Sequence, residues 1–426
     1  MWHDIVDKKL GKKIKGVARL ITVNELFSGI GAQRAALERA GIPYKIVGIS
    51  EIDRFAIKSY TAIHGETRNY GDIRKVDKLD YADLWTYSFP CQSVSVCGKQ
   101  EGIIKGVTRS GLLYEVQRLL ESARQDMTLP KYLILENVKN LVGKKFRGQF
   151  DDWLNWLSEL GYNSYWEVLN AKDFGVPQNR ERVFAVSIRK DIDSGGFHFP
   201  SGFSSPVKLI DLLEPIVDDN LYLPDDVVKR YVPSASASGD IKVAGRVDRW
   251  SRDRSNRVHS PYGISPTITT ITGSGQEIKI VEPICCASRG RGCEKGGYVQ
   301  QLEFRADGRT NTITTVSKDN LIVEPVNQYT DGTARTIKAT YGKTSKANLT
   351  RSGSFGATGA TDGIAIRKLT PLECWRLMGF TDAEFLRAKV VCSNSQLYKQ
   401  AGNSIVVDVL AAIFECLFEP GECNEA

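Results

Sequence analysis

The chain has 426 residues, 42% hydrophobic and 25% charged, and a formal net charge of +7. These proportions are those of an ordinary globular protein, and the length favours two domains over one compact core. The sequence contains no secretory or membrane-spanning segment, so we expect a cytoplasmic protein that does not bind membranes and whose nine cysteines are free thiols. No metal is expected, because the one tight cysteine cluster (285, 286 and 293) lacks a usual zinc spacing and only four histidines are present.

Between residues 20 and 190, short apolar β-rich runs alternate with helical patterns. This alternation is typical of a parallel sheet with crossover helices, so we predict a doubly wound, Rossmann-like α/β domain. The predicted strands cover 20–27, 45–50, 83–89, 131–138, 164–170 and 182–188, and the predicted helices cover 32–40, 53–64 and 111–123.

Serine, glycine, threonine and arginine become frequent from residue 190 to 366, and helical periodicity fades. Within this region ISPTITTITGSGQEIKIVEP (264–283) and RTNTITTVSKDNLIVEP (309–325) are related in sequence, and 334–340 repeats the pattern weakly. We predict strand-turn-strand units in a smaller, mostly β domain. A simpler explanation of the recurrence stays open, since β-branched residues favour strands wherever they occur.

Helical character returns in RKLTPLECWRLMGF (367–380), where Thr370, Pro371 and Glu373 have the spacing of a capping box. Residues 401–418 predict a strongly apolar helix, which we expect to pack on the α/β domain. The predicted division is a basic N-terminal arm (1–19), an α/β domain (20–189 plus 367–426) and an inserted β domain (190–366).

Glycines follow the first predicted strand, in FSGIG (27–31), where the backbone can pass close to a ligand at the carboxyl edge of the sheet. Glu51, about 20 residues further on, suits the hydroxyls of a ribose. Asp72 suits an adenine amino group. Because the turn carries no Lys or Arg for phosphates, a nucleoside cofactor is favoured over NAD or ATP, although a tight turn without a ligand is an alternative.

Cys91 and Glu136 each stand at the end of a predicted strand of the same sheet. A thiolate that adds to an electron-poor ring needs an acid to protonate the ring as charge develops. The glutamate in ENVKN can supply that proton, since burial at a strand end raises a carboxyl pKa. Arg180 and Arg182, two residues apart in PQNRERVF, extend this group of residues.

These motifs resemble those of the DNA cytosine-5 methyltransferases. FSGIG, SFPCQ, ENVKN, QNRER, the 367–380 helix and QLYKQAGNS (396–404) occur in the order of that family and cover nearly everything outside 190–366. The resemblance implies that Cys91 adds to carbon 6 of cytosine and that Glu136 protonates N3. It also implies that Arg182 contacts the O2 side of the base and that Arg180 steadies the site.

The resemblance further implies S-adenosyl-L-methionine (AdoMet) as cofactor, with S-adenosyl-L-homocysteine as product. Ile52 departs from the family, which often has an aromatic residue there. The implied cofactor-binding residues are Phe27, Gly29, Gly31, Glu51, Ile52, Asp72, Ile73, Pro90, Asn403 and Ser404.

Double-stranded DNA is the implied partner, with the target cytosine flipped out of the helix. Residues 92–111 resemble the mobile loop of the family, and 190–366 matches its target-recognition region, in which Thr336-Ile337 best matches the recurrent Thr-Leu element. We expect a monomer, with a cognate restriction endonuclease as a possible partner. The expected DNA-binding residues are Gln92, Ser95, Cys97, Lys99, Gln178, Arg249, Arg254, Thr267, Thr312, Thr336 and Ile337.

Four other functions were weighed. A nicotinamide oxidoreductase would leave Cys91 and Glu136 unexplained. A zinc nucleobase deaminase needs a second cysteine at position 94, which is valine. A tRNA cytosine-5 methyltransferase on the same catalytic domain is a closer rival, which the long Arg-rich insert disfavours. A DNA-binding protein without catalysis is disfavoured by the presence of Cys91, Glu136 and Arg182.

Overall fold

The computed structural model describes most of the chain outside the N-terminus, the C-terminus and parts of the insert. The described residues are 20–91, 93–95, 100–215, 217–223, 231–236, 240–247, 249–251, 253–270, 277–282, 284–292, 298–305, 321–323 and 365–418.

A six-stranded sheet with the order β2-β1-β3-β4-β7-β5 forms the centre of the α/β part. The first four strands of this order are parallel, so the carboxyl ends of β1, β3 and β4 meet at one edge. The strands are β1 (Ile21–Leu26), β2 (Tyr44–Ser50), β3 (Leu84–Tyr87), β4 (Tyr132–Val138), β5 (Tyr162–Asn170) and β7 (Glu181–Arg189), with a short β6 (Gln178–Asn179) between the last two.

Strand β7 corrects the expectation of a wholly parallel sheet. It lies between β4 and β5 and is antiparallel to both. The connection from β5 to β7, residues 171–180, is shorter than the roughly dozen residues that a crossover to a parallel strand requires. The chain therefore returns beside β5 in the opposite direction, which brings Arg182 opposite Val138 at the end of β4.

Helices cover both faces of this sheet. Successive residues of β4 alternate between the two hydrophobic cores, with Ile134 on one face and Leu133 and Leu135 on the other. The face of Ile134 is covered by α1 (Ala32–Arg39), α2 (Arg54–His64) and the C-terminal helices, and the opposite face by α3 (Leu113–Gln125) and α4 (Arg147–Leu160). The Rossmann-like fold is thus confirmed, and α4 is a helix that the sequence analysis missed.

The C-terminal segment forms more helices than predicted. Thr370 and Glu373 make the expected capping box at the start of a helix. The single helix predicted over 401–418 is wrong, because the chain is extended at Ser404 between two helices. The helices are α6 (Pro371–Arg376), α7 (Asp382–Val391), α8 (Asn394–Asn403) and α9 (Val407–Phe418).

In the described part of the chain, one stretch, Asn394–Phe418, has the length and composition of a membrane-crossing helix. Within the most apolar 18 residues of this stretch, 72% is buried inside the protein, as is usual for core helices. Cys416 in this stretch is disulfide-bonded, which corrects the expectation of free thiols, whereas Cys91, Cys374 and Cys392 are free.

The insert contributes further β-structure and a four-residue helix, α5 (Asp253–Asn256). A five-stranded sheet has the order β16-β12-β10-β9-β8, and a three-stranded sheet has the order β14-β13-β15. These strands are β8 (Tyr231–Ser236), β9 (Val243–Val247), β10 (Arg257–His259), β12 (Lys279–Glu282), β13 (Ile284–Gly292), β14 (Tyr298–Arg305), β15 (Leu321–Val323) and β16 (Ala365–Lys368).

The two described strands of the first repeat do not pair with each other. Its first strand, β11 (Ser265–Pro266), pairs in parallel with β6 of the α/β part, whereas its last strand, β12, pairs with β10 and β16. Residues 265–266 therefore join the insert to the α/β part through a separate two-stranded sheet. The boundaries of the predicted domains stay predictions.

Candidate active site

A cavity of about 1300 Å³ opens at the carboxyl edge of the central sheet. All four predicted catalytic residues line it, and so does every predicted cofactor residue except Gly31. Of the predicted DNA-binding residues, Ser95, Arg254 and Thr267 line it. Residues more than 300 positions apart in the chain thus face one space.

Two side-chain hydrogen bonds hold the backbone just before Cys91, which follows the end of β3 by several residues. Asn137 of β4 donates a side-chain hydrogen bond to the carbonyl oxygen of Phe89 at 3.0 Å, and Ser110 donates to that of Pro90 at 2.7 Å. Burial raises the pKa of the Cys91 thiol, and the carboxylate of Glu136 raises it further against the opposing charges of two arginines. The resting thiol is therefore protonated at neutral pH.

Glu136 lies near the end of β4 with 9% of its surface exposed. Its Oε1 is 3.2 Å from Nε of Arg182, on the adjacent strand β7. Burial raises the pKa of the Glu136 carboxyl, and the charges of Arg182 and Arg180 only partly offset it. A carboxyl with a raised pKa, at the wall of a cavity, is suited to donate a proton.

Arg180 and Arg182 make different contacts although they are two residues apart. Arg180 is 3% exposed and donates hydrogen bonds to three carbonyl oxygens, those of Ile268 at 3.2 Å, Gly402 at 3.0 Å and Ser404 at 2.7 Å. Burial and the charge of Arg182 lower the pKa of Arg180 to about 9. Arg180 therefore ties the insert and the C-terminal helices to the wall of the cavity.

The glycine turn and Glu51 form the opposite end of the cavity. Gly29 has a φ of 56°, and its N–H donates to Oε2 of Glu51 at 2.9 Å. Oε1 of Glu51 accepts from the N–H groups of Ile52 and Asp53, both at 2.8 Å. The carboxylate is thus fixed by backbone donors, while the side chain of Ile52 is 64% exposed beside it.

Asp72 has a partner that the sequence analysis did not predict. Arg74 donates from Nε to Oδ1 at 2.9 Å and from Nη2 to Oδ2 at 2.6 Å. This hydrogen-bonded pair lowers the pKa of the Asp72 carboxyl. Asp72 is therefore an ionised acceptor at the cavity, and the signal that could have revealed its partner was the spacing of two residues in GDIRK.

The C-terminal helices complete this end of the cavity. Asn403 and Ser404 lie at the junction of α8 and α9, and both line the cavity. Lys399 of α8 forms an ion pair with Asp53, the N-cap of α2, at 2.7 Å. These contacts hold the last two helices against the turn that follows β2.

Thr267, in the first repeat, contacts the chain next to the predicted catalytic residue Arg180. Its hydroxyl donates to the carbonyl oxygen of Asn179 at 2.6 Å, and its own carbonyl accepts from Arg254 at 2.9 Å. Gln178 is fully buried, where it accepts from the N–H of Ile268 and donates to the carbonyl of Leu377. Any effect of Gln178 on DNA binding would therefore act through the segment that carries Thr267.

The remaining predicted residues lie elsewhere. Arg249 is outside the cavity, with its guanidinium 5.6 Å from the ring centre of Trp250. Among the described residues no three His, Cys, Asp or Glu side chains are grouped to hold a metal ion. Six predicted residues lie outside the described part of the chain: Gln92, Cys97, Lys99, Thr312, Thr336 and Ile337.

Comparison with known sequences gives one consistent result. Residues 21–419 match the family described as C-5 cytosine-specific DNA methylase. The orphan methyltransferase M.SPBetaI of Bacillus phage SPbeta is 34% identical, covering 93% of this chain and 97% of its own. The type II methyltransferase M2.ScrFI of Lactococcus lactis subsp. cremoris is 31% identical, covering 94% of this chain and 99% of its own.

Solved structures show the same fold at lower identity. The Entamoeba histolytica methyltransferase EhMeth has a TM-score of 0.59 at 16% identity, and the match covers 94% of this chain and 99% of that one. The S. pombe Dnmt2 methyltransferase has a TM-score of 0.54 at 18% identity, with the same two coverages. The chain therefore belongs to the C-5 cytosine-specific DNA methylase family and is a DNA cytosine-5 methyltransferase.

Proposed function

We propose that this enzyme methylates carbon 5 of a cytosine flipped out of double-stranded DNA, through a transient bond between Cys91 and carbon 6. The observation that carries the proposal is the convergence of Cys91, Glu136 and Arg182 in one cavity with the glycine turn. Cys91 follows β3, and Glu136 lies near the end of the neighbouring parallel strand β4, so both lie at the same edge of the sheet.

Addition of the thiolate makes carbon 5 reactive. Carbon 5 of cytosine is a weak nucleophile until Sγ of Cys91 bonds to carbon 6. That addition makes C5–C6 a single bond and leaves carbon 5 in a C4=C5 enamine. Because the pKa of the Cys91 thiol is raised, the thiol must lose its proton before or during attack. The adjacent Arg182 and Arg180 favour the thiolate electrostatically.

Glu136 supplies the proton that N3 takes up as the thiolate adds. A buried carboxyl with a raised pKa retains this proton at a higher pH than an exposed one. Arg182, 3.2 Å from the Glu136 carboxyl, orients that carboxyl and lies where it can meet the base. Once carbon 5 carries the methyl group, it loses its proton to a base, Sγ leaves carbon 6 as a thiolate to restore the C5=C6 bond, and N3 returns its proton to Glu136.

The chemistry of the cofactor end fits AdoMet. When bound, AdoMet supplies the methyl group to carbon 5. Glu51 would accept hydrogen bonds from the ribose hydroxyls, and Asp72 would accept one from the adenine amino group. The exposed side chain of Ile52 would cover the adenine. Phe27, Gly29, Ile73, Pro90, Asn403 and Ser404 complete this surface, and Gly31 supports it from behind.

The residues that line the cavity support DNA as the substrate. The target carbon is inaccessible in a stacked duplex, so the nucleotide must leave the helix to reach Cys91. Arg254, Thr267 and Ser95 line the cavity on the side of the catalytic residues and would face the strand that carries the extruded base. The recognised sequence, a partner endonuclease, the monomeric state and the cytoplasmic location stay predictions.

Trapping tests the proposal directly. Duplex DNA whose target cytosines are replaced by 5-fluorocytosine cannot lose its substituent at carbon 5, so the Cys91 adduct should accumulate as a complex stable to denaturing electrophoresis. Target sites are first found by bisulfite sequencing of DNA from cells that express the protein. Absence of any trapped complex with AdoMet present, at a site shown to be methylated, would overturn the covalent mechanism, and methylation of tRNA but not DNA would overturn the substrate.

A further inference from the structure

The glycine turn rests on two aromatic rings that no part of the mechanism uses. Gly31 has a φ of 86°, and a Cβ atom on it would lie 2.5 Å from Nε2 of His64 and 2.9 Å from Cε2 of Tyr60. Both rings belong to α2, and their centroids are 4.9 Å apart. The backbone at Gly31 is therefore in close contact with this ring pair, on the side away from the cavity.

His64 also holds the turn by a hydrogen bond. Its Nε2 lies 3.2 Å from the carbonyl oxygen of Ile30. Because a carbonyl can only accept, Nε2 carries the hydrogen. Burial, helped by the charge of Arg34, lowers the pKa of His64 to about 4, so the ring is neutral at physiological pH.

Tyr60 is held by a hydrogen bond to the buried carboxyl group of Glu25, in β1. Tyr60 is 1% exposed, and its hydroxyl donates to Oε2 of Glu25 at 2.6 Å. Glu25 is 0% exposed, and no hydrogen-bond donor among the described residues reaches its Oε1. Burial raises the pKa of Glu25 to about 7, although the Tyr60 hydrogen bond and the charge of Arg34 oppose this.

The turn is thus fixed from two sides. On the cavity side, Glu51 accepts a hydrogen bond from the N–H of Gly29. On the other side of the turn, Tyr60 and His64 lie against Gly31. Glu25, Tyr60 and His64 do not line the cavity. They can act on a ligand there only through the shape of the turn.

We propose that Tyr60 and His64, anchored by Glu25, are positioning residues that hold the glycine turn in the shape that binds AdoMet. This inference rests on the proposed function, in which the turn forms part of the AdoMet site. Loss of either contact lets the turn relax, so AdoMet affinity falls, while the catalytic residues at the other end of the cavity keep their positions.

A dependence on pH follows from Glu25. The titratable and charged groups that act on it are Tyr60 of α2 and Arg34 and Glu38 of α1, and His64 lies beside the ring of Tyr60. Below about pH 7 the carboxyl is neutral and packs beneath Tyr60. Above that pH it ionises, and a fully buried carboxylate favours a relaxed arrangement, so AdoMet affinity falls as pH rises.

The experiment measures the Kd for AdoMet by titration calorimetry on the full chain, with Tm and DNA binding measured in parallel. Tyr60→Phe and His64→Leu should each raise Kd by about tenfold, the worth of one lost hydrogen bond near the site. In turnover they should raise KM for AdoMet and leave kcat unchanged. His64→Gln, which keeps an N–H donor, should restore part of the affinity.

Two controls isolate the claim. Tyr44→Phe removes a hydroxyl that contacts Glu38 and Arg34 but not the turn, and it should leave Kd unchanged. Glu25→Gln cannot ionise, so its Kd should be constant between pH 6 and 8.5, whereas that of the unsubstituted protein rises over this range.

Several outcomes would overturn the inference. Unchanged Kd in Tyr60→Phe and His64→Leu would do so, as would a Glu25→Gln protein with the original pH dependence. An equal loss of Tm, DNA binding and AdoMet binding would show general destabilisation instead of positioning. If the unsubstituted protein itself does not bind AdoMet, the proposed function fails before this inference is reached.

Discussion

The two ends of the cavity are held in different ways. At the cofactor end, Glu51 is fixed by backbone N–H groups of Gly29, Ile52 and Asp53, so the site is built mostly from main-chain atoms of two neighbouring turns. At the catalytic end, Glu136 of β4 and Arg180, which lies between β6 and β7, are buried ionisable groups. Buried charges destabilise a fold unless they are paired or hydrogen-bonded, so the catalytic end depends on polar partners for its buried side chains, whereas Glu51 needs only backbone donors.

The largest expected effect separates chemistry from cofactor binding. Cys91→Ala should reduce methylation by at least about 10⁴-fold, the scale on which loss of an essential nucleophile acts, and leave the Kd for AdoMet unchanged. Radiolabelled methyl transfer to DNA and calorimetric titration measure the two quantities. Cys392→Ala, at a free cysteine outside the cavity, is the matched control and should be active. Methylation by Cys91→Ala at the normal rate would contradict the assignment.

Arg180 provides a test of the structural cost at the catalytic end. Arg180→Met leaves three buried carbonyl oxygens without their donor, which should destabilise the protein by roughly 2–4 kcal/mol. Denaturant unfolding measures this.

Arg182→Met is the comparison for Arg180→Met. It should lower kcat with a smaller effect on unfolding, because Glu136 can take up a proton when its ion-pair partner is lost. Equal destabilisation by the two substitutions would show that the arginines do not differ as their contacts indicate.

At the cofactor end the expected effect is smaller and confined to binding. Both carboxylate oxygens of Glu51 accept from backbone N–H groups, so the amide nitrogen of Glu51→Gln would face a donor and lose a hydrogen bond. The Kd for AdoMet should therefore rise by about 10- to 100-fold. The rate at saturating AdoMet should change little. Glu66→Gln, at an exposed position after α2, is the control. A fall in kcat without a change in Kd would place Glu51 outside the cofactor site.

The smallest effect is a dependence of stability on pH. The pKa of Glu136 is raised above 4.5 in the folded protein, so the folded state retains this proton longer than the unfolded chain does. The resulting stability is present below pH 4.5 and is lost as pH rises through the folded-state pKa. Since Glu136→Gln does not titrate, its Tm relative to the unsubstituted protein should increase by a few degrees from pH 4.5 to 7.5. Calorimetry that shows a constant difference would contradict this.

Much of the fold could be predicted because helices and strands follow local patterns. The strand of KYLILENV and the helix capped by Thr370 and Glu373 occur where expected. The direction of β7 could not be predicted from its own residues, which are apolar in either direction. It depends on the short connection from β5 and on the free edge of β4.

The candidate site could be predicted in part for the same reason. Cys91 and Glu136 stand at strand ends, and residues at the carboxyl ends of neighbouring parallel strands meet at one edge. The break between α8 and α9 could not be seen in a continuous apolar run. The carbonyl oxygens of Gly402 and Ser404 at this break bind Arg180, more than 200 residues earlier in the chain.

The sequence by itself determined the family, the α/β class and the candidate residues for the chemistry, since these depend on motifs a few residues long. Only the tertiary structure decided which arginine supports the backbone and which meets Glu136, that Arg74 pairs with Asp72, and that Tyr60 and His64 lie beneath the glycine turn. The physical reason is that a side chain's partner depends on which surfaces pack together, and packing joins residues whose separation along the chain leaves no local pattern.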